Sequence, residues 1–216
     1  MRSERTHLVW DWNGTLLNDL SLVVACTNAA FLSTGGNPVS VQEHRVRFRR
    51  PISDYYAEVL GRPVDADEFQ QLDKVFHDAY RTGLSTCQLA TDAASAVRSW
   101  SGSQSLLSMW FHEELVPTVE SHGLTGMFRR IDGLPSSVGG DRKAVHLVRH
   151  LERLGIDGPS TVLIGDSIDD AEAAESVGAR CVLYSGGFTD PDRLRASGRP
   201  VAHTLTEAVA LATALN

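Results

Sequence analysis

The sequence is short of the features that mark disulfide-rich, zinc-binding and membrane-spanning proteins. It has only three cysteines, Cys26, Cys87 and Cys181, and none lies in a Cys-x-x-Cys pair. This spacing predicts neither a disulfide framework nor a structural zinc site, so we expect buried thiols. The sequence also has no run of about 18 apolar residues, the length from which a transmembrane helix is read.

Positive charge is also scarce. The 216 residues include 20 Lys and Arg against 27 Asp and Glu, a formal charge of −7, so no excess of positive field attracts nucleic acid or an anionic membrane. The hydrophobic content of 42% is ordinary for a soluble protein. Residues 1–5 are polar and contain no signal-peptide core. We predict a cytoplasmic protein, a monomer or weak dimer, with no nucleic-acid or membrane partner.

The first chemical signal lies near the start of the chain. An apolar run, Leu8–Trp10, stops at Asp11, and Gly14 permits a tight turn just beyond it. In a parallel sheet, Asp11 would lie where the carboxyl ends of the strands open onto a ligand crevice. The Asn13-Gly14 pair is equally typical of a hairpin, in which case Asp11 only shapes the turn.

The periodicity of the apolar residues divides the chain in two. Residues 19–86 show only helical patterns, whereas the remainder alternates between strand and helix signals. Such alternation with apolar strands predicts an α/β fold, a Rossmann-like parallel sheet covered on both faces. We predict a core domain of residues 1–18 and 87–216. Residues 19–86 form an inserted α-helical cap domain that folds over the crevice.

Capping residues and charge runs mark the predicted ends of several elements. Asp19 is expected to cap the first helix, and Ser40 and Glu43 form a capping box for the second. A basic run follows, made of Arg45, Arg47, Arg49 and Arg50. Further along, we predict a short strand over residues 128–131 and a helix capped by Asp141.

Two single residues could bind an anion. Ser108 ends a predicted strand, and its hydroxyl could donate to a phosphoryl oxygen. Lys143 lies in the first turn of a predicted helix, where it could hold an anion together with the helix amides. Taken alone, each is more often an ordinary strand-end serine or a solvated lysine.

A cluster of acids gives the sharper signal. Asp166, Asp169 and Asp170 directly follow the apolar run Val162–Ile164. Such a cluster repels itself unless a cation is present, and hard carboxylate oxygens suit magnesium. Helix capping explains one of these acids but not three. The sequence therefore predicts a Mg²⁺ site at the end of this strand.

These four segments, in this order, resemble the four motifs of the haloacid dehalogenase (HAD) superfamily, with the phosphoglycolate-phosphatase-like branch as the best match. The matching segments are Asp11-Trp12-Asn13-Gly14-Thr15, the Leu-Leu-Ser that ends at Ser108, Lys143, and Gly165-Asp166-Ser167-Ile168-Asp169-Asp170. The helical insertion after the first motif also fits. The resemblance implies a HAD core with a helical cap and a Mg²⁺-dependent phosphatase of a small phosphorylated metabolite.

The resemblance also implies a role for the matching residues. Asp11 is the expected nucleophile, which forms an aspartyl-phosphate, and also a magnesium ligand. Asp166 is a direct metal ligand, Asp170 binds the metal directly or through water, and the backbone carbonyl of Asn13 is a further ligand. Lys143 neutralises the charge of the nucleophile and holds phosphoryl oxygens, as does Ser108.

Further substrate-binding residues are predicted in the first motif and in the cap. Gly14 and Thr15 belong to the first motif and are expected to contact the substrate. A cap that closes on an anion needs cations, and this acidic chain concentrates them in the basic run. We therefore predict that Arg47, Arg49 and Arg50 bind the substrate.

Position 13 departs from the family pattern. HAD phosphatases usually carry Asp there, as general acid for the leaving group and base for water, whereas this chain has Asn13. An amide is neither a useful acid nor a useful base near pH 7, and such a group is usually worth about 10²–10⁴ in rate. We expect slow turnover, an acyl or aryl phosphate whose leaving group needs little protonation, or a replacement acid. His44 and His77 are the candidates, although each is more often a surface histidine.

Asn13 also keeps other functions open. The chain could instead be a slow or non-catalytic HAD-like protein that binds a phosphorylated ligand and acts as a sensor. A phosphotransferase is a further alternative, because an amide at position 13 could slow the attack of water on the phosphoenzyme.

Overall fold

A computed structural model describes residues 6–135 and 142–215. Its centre is a six-stranded parallel sheet with the order β5-β4-β1-β6-β7-β8. The strands are β1 (His7–Trp10), β4 (Gln104–Phe111), β5 (Ile131–Leu134), β6 (Thr161–Gly165), β7 (Arg180–Tyr184) and β8 (Val201–Ala202). A separate antiparallel pair is formed by β2 (Leu17–Asn18) and β3 (Gln88–Leu89). The predicted α/β fold with a Rossmann-like parallel sheet is confirmed.

The two central strands are buried along their whole length. Alternate residues of β1 point to opposite faces: Leu8 and Trp10 pack into the larger apolar cluster, whereas Val9 packs into a second one. On β6, Ile164 and Leu163 divide in the same way. Because both faces are covered, these strands carry continuous apolar runs, Leu8–Trp10 and Val162–Ile164, which is the pattern expected of a parallel sheet.

Four helices lie between β2 and β3: α1 (Leu20–Ser33), α2 (Val41–Arg47), α3 (Ile52–Leu60) and α4 (Ala66–Gly83). Leu17 pairs with Leu89 in the antiparallel ladder, so the chain leaves and re-enters the core at one point. The remaining helices are α5 (Ala93–Ser99), α6 (His112–Ser121), α7 (Ala144–Leu154), α8 (Ile168–Ser176), α9 (Pro191–Ala196) and α10 (Leu205–Ala214). The four-helix insertion is where the sequence predicts a cap, and the domain limits 1–18, 19–86 and 87–216 stay a prediction.

Two arginines fasten the helical insertion to the core. Arg45 on α2 donates to the backbone carbonyls of Ser185 (2.5 Å) and Thr189 (3.2 Å), which follow β7. In the other direction, Arg193 on α9 donates to the carbonyls of Arg45 (3.2 Å) and Phe48 (2.8 Å). Arg45 thus serves as a structural contact between the insertion and the core.

Several predicted element ends are confirmed and others are corrected. The capping box of Ser40 and Glu43 is present at α2, and the three cysteines are buried thiols. Asp19 occupies the N-cap position of α1 but makes no capping hydrogen bond, because its carboxylate turns toward the loop after β1. The strand predicted over 128–131 is wrong: β5 begins at Ile131, after a 3₁₀ turn that buries Phe128. Asp141 lies outside the described residues.

A chain of buried hydrogen bonds links β1, β4, β5 and α7. His7 bonds the hydroxyl of Ser105 (2.8 Å), Ser105 bonds His150 (2.7 Å), and the other nitrogen of His150 bonds Asp132 (2.7 Å). Although burial opposes ionisation, the hydrogen bonds from His150 and Arg130 hold the pKa of Asp132 below its ordinary value. Ser105 is completely buried, so this arrangement serves stability rather than chemistry. No helix within the described ranges is both long and apolar enough to cross a membrane.

Replacing Asp132 by Asn should lower the free energy of unfolding by about 2 kcal/mol, because His150 and Arg130 lose a charged acceptor. The contribution of this carboxylate is fully present above pH about 4 and is lost as the pH falls toward its lowered pKa in the folded protein. Urea unfolding at pH 7 and pH 3 measures both effects. Asp157→Asn, an exposed change, is the control, and equal losses in the two variants would contradict the prediction.

Candidate functional site

Three aspartates from neighbouring strands converge at the carboxyl edge of the sheet. Asp11 follows β1, Asp166 follows β6, and the two strands pair through Trp10 and Ile164. Asp170 comes from the first turn of α8. One carboxylate oxygen from each of the three lies within 4.8 Å of the others. The predicted convergence of position 11 with the acidic cluster is therefore present.

A buried lysine supplies the local counter-charge. Lys143, at the start of α7, is 2% exposed, and its Nζ donates to Oδ1 of Asp11 and Oδ1 of Asp170, each at 2.5 Å. Burial alone would lower the pKa of Lys143, but the two carboxylates outweigh it and raise that pKa. The lysine is therefore protonated, and its role as a solvated surface group is ruled out.

Burial raises the pKa of two of the three acids, Asp11 and Asp166. It raises the pKa of Asp11 to about 6, with Lys143 opposing the rise and Asp170 adding to it. Burial raises the pKa of Asp166 as well, and the negative charges of Asp11 and Asp170 add to that rise. One ammonium group does not balance three enclosed carboxylates, so the site still attracts positive charge.

Backbone amides and hydroxyls orient each acid. Asp166 accepts from the amide of Phe188 (2.5 Å) and from the hydroxyl of Thr15 (3.3 Å). Asp170 accepts from the amide (3.0 Å) and the hydroxyl (2.6 Å) of Ser167 in a capping box at α8. Asp169 instead points to α7, where it accepts from the amide of Lys143 (2.9 Å). Asp169 thus helps to position Lys143.

Two glycines leave room for the carboxylates. A Cβ at Gly165 would lie 2.3 Å from Cγ of Asp170, and one at Gly187 would lie 2.1 Å from Oδ2 of Asp166. Any other residue at either position would push an acid out of the cluster. Carboxylate oxygens are the ligands that Mg²⁺ prefers, and with one oxygen from each acid within 4.8 Å of the others these three residues could together hold such an ion.

The side chain of Asn13 joins the site to the helical insertion. Its Oδ1 accepts from the hydroxyl of Ser108 (2.9 Å), and its Nδ2 donates to Oδ2 of Asp19 (2.9 Å) and to the hydroxyl of Tyr80 on α4 (2.8 Å). Tyr80 also donates to Asp19 (2.6 Å), and burial raises the pKa of Asp19. Asn13 therefore acts as a donor where a carboxylate would face a second buried acid.

Comparisons with known proteins agree with this geometry. The HAD-hydrolase-like family model matches residues 139–208, which include Lys143 and the acidic cluster. The phosphoglycolate phosphatase of Synechococcus elongatus is 24% identical over 195 residues, which are 88% of each chain. These matches show that residues 139–208 resemble HAD-like hydrolases and that the chain is similar in sequence to a phosphoglycolate phosphatase.

Solved structures show the same HAD fold. A protein from Clostridium acetobutylicum described as a predicted phosphatase superposes with a TM-score of 0.86 at 14% identity, over 98% of this chain and 99% of that one. A haloacid dehalogenase-like hydrolase from Streptococcus pneumoniae gives a TM-score of 0.80 at 18% identity, over 97% and 99% of the two chains. At these identities, the likeness shows the fold alone.

Three HAD-motif residues expected to contact the substrate are engaged within the protein. The amide of Gly14 donates to Asp19 (2.7 Å), and the hydroxyl of Thr15 donates to Asp166. Neither residue lines the pocket formed by the three acids. Ser108 does not end its strand as predicted, because β4 continues to Phe111, and its hydroxyl donates to Asn13. In this structure these side chains organise the site.

The basic run contributes one arginine to the acidic pocket. Arg50 lines it, with its Nε 3.9 Å from a carboxylate oxygen of Asp169. Arg49 pairs with Glu58 (2.6 Å) on the exposed side of α3, and Arg47 does not line the pocket. The expectation that Arg47 and Arg49 bind the substrate therefore finds no support in the structure.

Both candidate histidines line a cavity between the helical insertion and the core. His44 is buried, so a surface placement is wrong for it, whereas the side chain of His77 is 15% exposed and lies 3.2 Å from a carboxylate oxygen of Asp73. Burial lowers the pKa of His44 to about 4, and its Nδ1 is hydrogen-bonded to the hydroxyl of Tyr55 (2.8 Å). At pH 7 His44 is neutral and is not a strong proton donor.

Sequence reasoning missed Asp19, Tyr80 and Phe188 as parts of the site. Tyr80 looked like one apolar position among several on α4, and Phe188 acts through its backbone amide, which has no side-chain signature. The consecutive glycines Gly186 and Gly187, directly after a predicted strand, were the available signal of a close backbone approach.

Lys143→Met should destabilise the metal-free protein by about 3–5 kcal/mol, because buried carboxylates lose their cation. Added Mg²⁺ should recover part of the loss by taking the place of the missing positive charge. Thermal melting with and without Mg²⁺ measures this. Lys74→Met, which removes an exposed lysine on α4, is the control, and an equal response of the two variants to Mg²⁺ would contradict the prediction.

Proposed function

We propose that this chain is a Mg²⁺-dependent phosphatase that hydrolyses a small phosphorylated metabolite through an aspartyl-phosphate on Asp11. The observation that carries the proposal is the enclosed cluster of Asp11, Asp166 and Asp170 with Lys143 between two of its members. The phosphatase named among the relatives supports the reaction class. It does not decide the substrate of this chain.

The residues of the site suit phosphoryl transfer. With a pKa of about 6, Asp11 is mostly ionised at pH 7 and can act as a nucleophile. Lys143 fixes Oδ1 of this carboxylate and brings positive charge to the place where phosphoryl oxygens arrive. Asp11, Asp166, Asp170 and the carbonyl of Asn13 would hold Mg²⁺, which supplies charge neutralisation when bound. Phosphoryl transfer depends mainly on such alignment and neutralisation.

The proposed reaction has no strong general acid to protonate the leaving group. The amide of Asn13 cannot protonate a leaving group, and neutral His44 does not replace it. We therefore propose that turnover is slow for alkyl phosphates and faster where the leaving group departs as a stable anion. This requirement follows from the residues themselves and limits the choice of substrate.

Asp11→Asn should abolish Mg²⁺-dependent hydrolysis of acetyl phosphate and phenyl phosphate, because an amide cannot displace the leaving group. Phosphate release and mass-spectrometric detection of the phosphoenzyme measure the loss. Asp67→Asn, an exposed change in the first turn of α4, is the control. Persisting turnover in the Asp11 variant would rule out this residue as the nucleophile.

Asn13→Asp should restore a general acid, with a gain of up to about 10²–10⁴ in kcat for alkyl phosphates. Its new carboxylate would face Asp19, whose Oδ2 now accepts from Asn13 at 2.9 Å, so the single variant should gain less than the double variant Asn13→Asp/Asp19→Asn. The double variant still pairs one acid with one amide, but the acid now lies at position 13 and the amide at position 19 donates to it. Steady-state kinetics on ethyl phosphate measures both gains.

The same variants test the alternative functions. No gain in either variant, together with tight binding of phosphate, would favour a ligand-binding protein over an enzyme. Asn13→Asp could instead speed the decay of a trapped phosphoenzyme with little effect on its formation. That result would mean that Asn13 slows the attack of water on the phosphoenzyme, and it would favour a phosphotransferase.

A further inference from the structure

A cavity of about 90 Å³ adjoins the acidic pocket and shares Asn13, Phe48, Arg50, Met109 and Phe188 with it. We name it the aromatic cavity, because two groups of touching rings line it: Phe48, Tyr55 and Phe188, and Phe76, Tyr80 and Trp110. Its volume lies below the range that encloses drug-sized ligands. It therefore suits a single ring better than a nucleoside.

Three residues that line this cavity carry a buried polar atom without a partner among the described residues: Nε2 of His44, Nδ1 of His77 and Nε1 of Trp110. His44 and Trp110 are more than nine-tenths buried. A buried donor without a partner costs about 1–3 kcal/mol, and native proteins rarely leave several together. Because these atoms are enclosed by protein atoms, they add polarity to the cavity wall and are not themselves points of ligand contact.

The charges around the cavity oppose a small anionic leaving group. Among the described residues that line it, Arg50 is the only lysine or arginine and lies at the junction with the acidic pocket, whereas Asp73, 3.2 Å from His77, adds a carboxylate. Phosphoglycolate carries a carboxylate next to the transferred phosphate. In this cavity that carboxylate would lie among aromatic rings and beside Asp73, with no described lysine or arginine other than Arg50 to pair with it. Desolvating such a group is unfavourable.

We propose that the natural substrate is an aryl phosphate, the phosphate ester of a small aromatic hydroxyl compound, with its ring in the aromatic cavity. The inference rests on the proposed phosphatase function. It joins two independent observations: rings line the leaving-group side of the site, and position 13 has no proton to give. A phenol departs as a far more stable anion than an alkoxide does, since its pKa lies near 10.

The reaction balances without an acid from the protein. A carboxylate oxygen of Asp11 bonds to phosphorus while the bond from phosphorus to the aryl oxygen breaks, and the electron pair leaves on the phenolate. The phenolate takes its proton from solvent. Water then hydrolyses the aspartyl-phosphate, which returns the carboxylate and releases inorganic phosphate.

Competitive binding of three phosphonates to the Mg²⁺-loaded protein tests the proposal. Benzylphosphonate mimics an aryl phosphate, 3-phosphonopropionate mimics phosphoglycolate, and methylphosphonate fills the phosphate position alone. Benzylphosphonate should bind about 30-fold more tightly than methylphosphonate, because it buries a ring, and 3-phosphonopropionate should gain nothing. Tryptophan fluorescence gives the dissociation constants without turnover. Tighter binding of 3-phosphonopropionate than of benzylphosphonate would overturn the proposal.

A charged substitution provides a second test. Phe76→Arg places a cation in the aromatic cavity. It should weaken the binding of benzylphosphonate about tenfold and strengthen the binding of 3-phosphonopropionate. Phe69→Arg is the matched control, because Phe69 is also half-buried on α4 but does not line the cavity. Circular dichroism checks that both variants fold. Equal effects of the two substitutions would contradict the assigned position of the ring.

Turnover separates this inference from the proposed function. Phenyl phosphate should exceed ethyl phosphate in kcat/KM by at least 10²-fold, because it gains both binding and a better leaving group. If acetyl phosphate is hydrolysed but benzylphosphonate binds no better than methylphosphonate, the aryl specificity is overturned and the phosphatase stands. If no phosphate is hydrolysed but benzylphosphonate is preferred, the aromatic site stands and hydrolysis is overturned.

Discussion

Three carboxylates enclosed with one ammonium group impose the main constraint on this structure. Asp11, Asp166 and Asp170 tolerate burial only because Lys143 bridges two of them and because amides and hydroxyls orient the third. Their approach requires β1 and β6 to be neighbours in the sheet. The excess of negative charge that remains attracts positive charge, which is the basis of the proposed Mg²⁺ site.

The helical insertion is connected to this cluster through hydrogen bonds. Asn13 holds Ser108 on one side and the pair formed by Asp19 and Tyr80 on the other, so α4 is tied to the loop that carries Asp11. Arg45 attaches α2 to the segment after β7, the same segment whose Phe188 amide binds Asp166. The insertion is thereby in contact with the segments that carry or orient two of the acids, Asp11 and Asp166.

The amide at position 13 and the aromatic cavity point to one chemical preference. A site without a general acid works best on a leaving group that is stable as an anion. The rings beside it, including Tyr80 and Trp110, provide an apolar place for such a group. The amide at position 13 and the rings of the adjoining cavity are both consistent with the aryl phosphate proposed above.

Sequence alone determined the α/β alternation, the four motif segments and the capping box that begins α2, because these depend on local periodicity, capping and the order of residues. Tertiary structure decided which groups face one another: that Lys143 is buried between two acids, that Asp19 turns to the loop instead of capping α1, and that of the predicted substrate arginines only Arg50 reaches the acidic pocket. His44 and Trp110 became cavity residues for the same reason. Packing between distant segments sets burial and charge, and no local pattern contains that information.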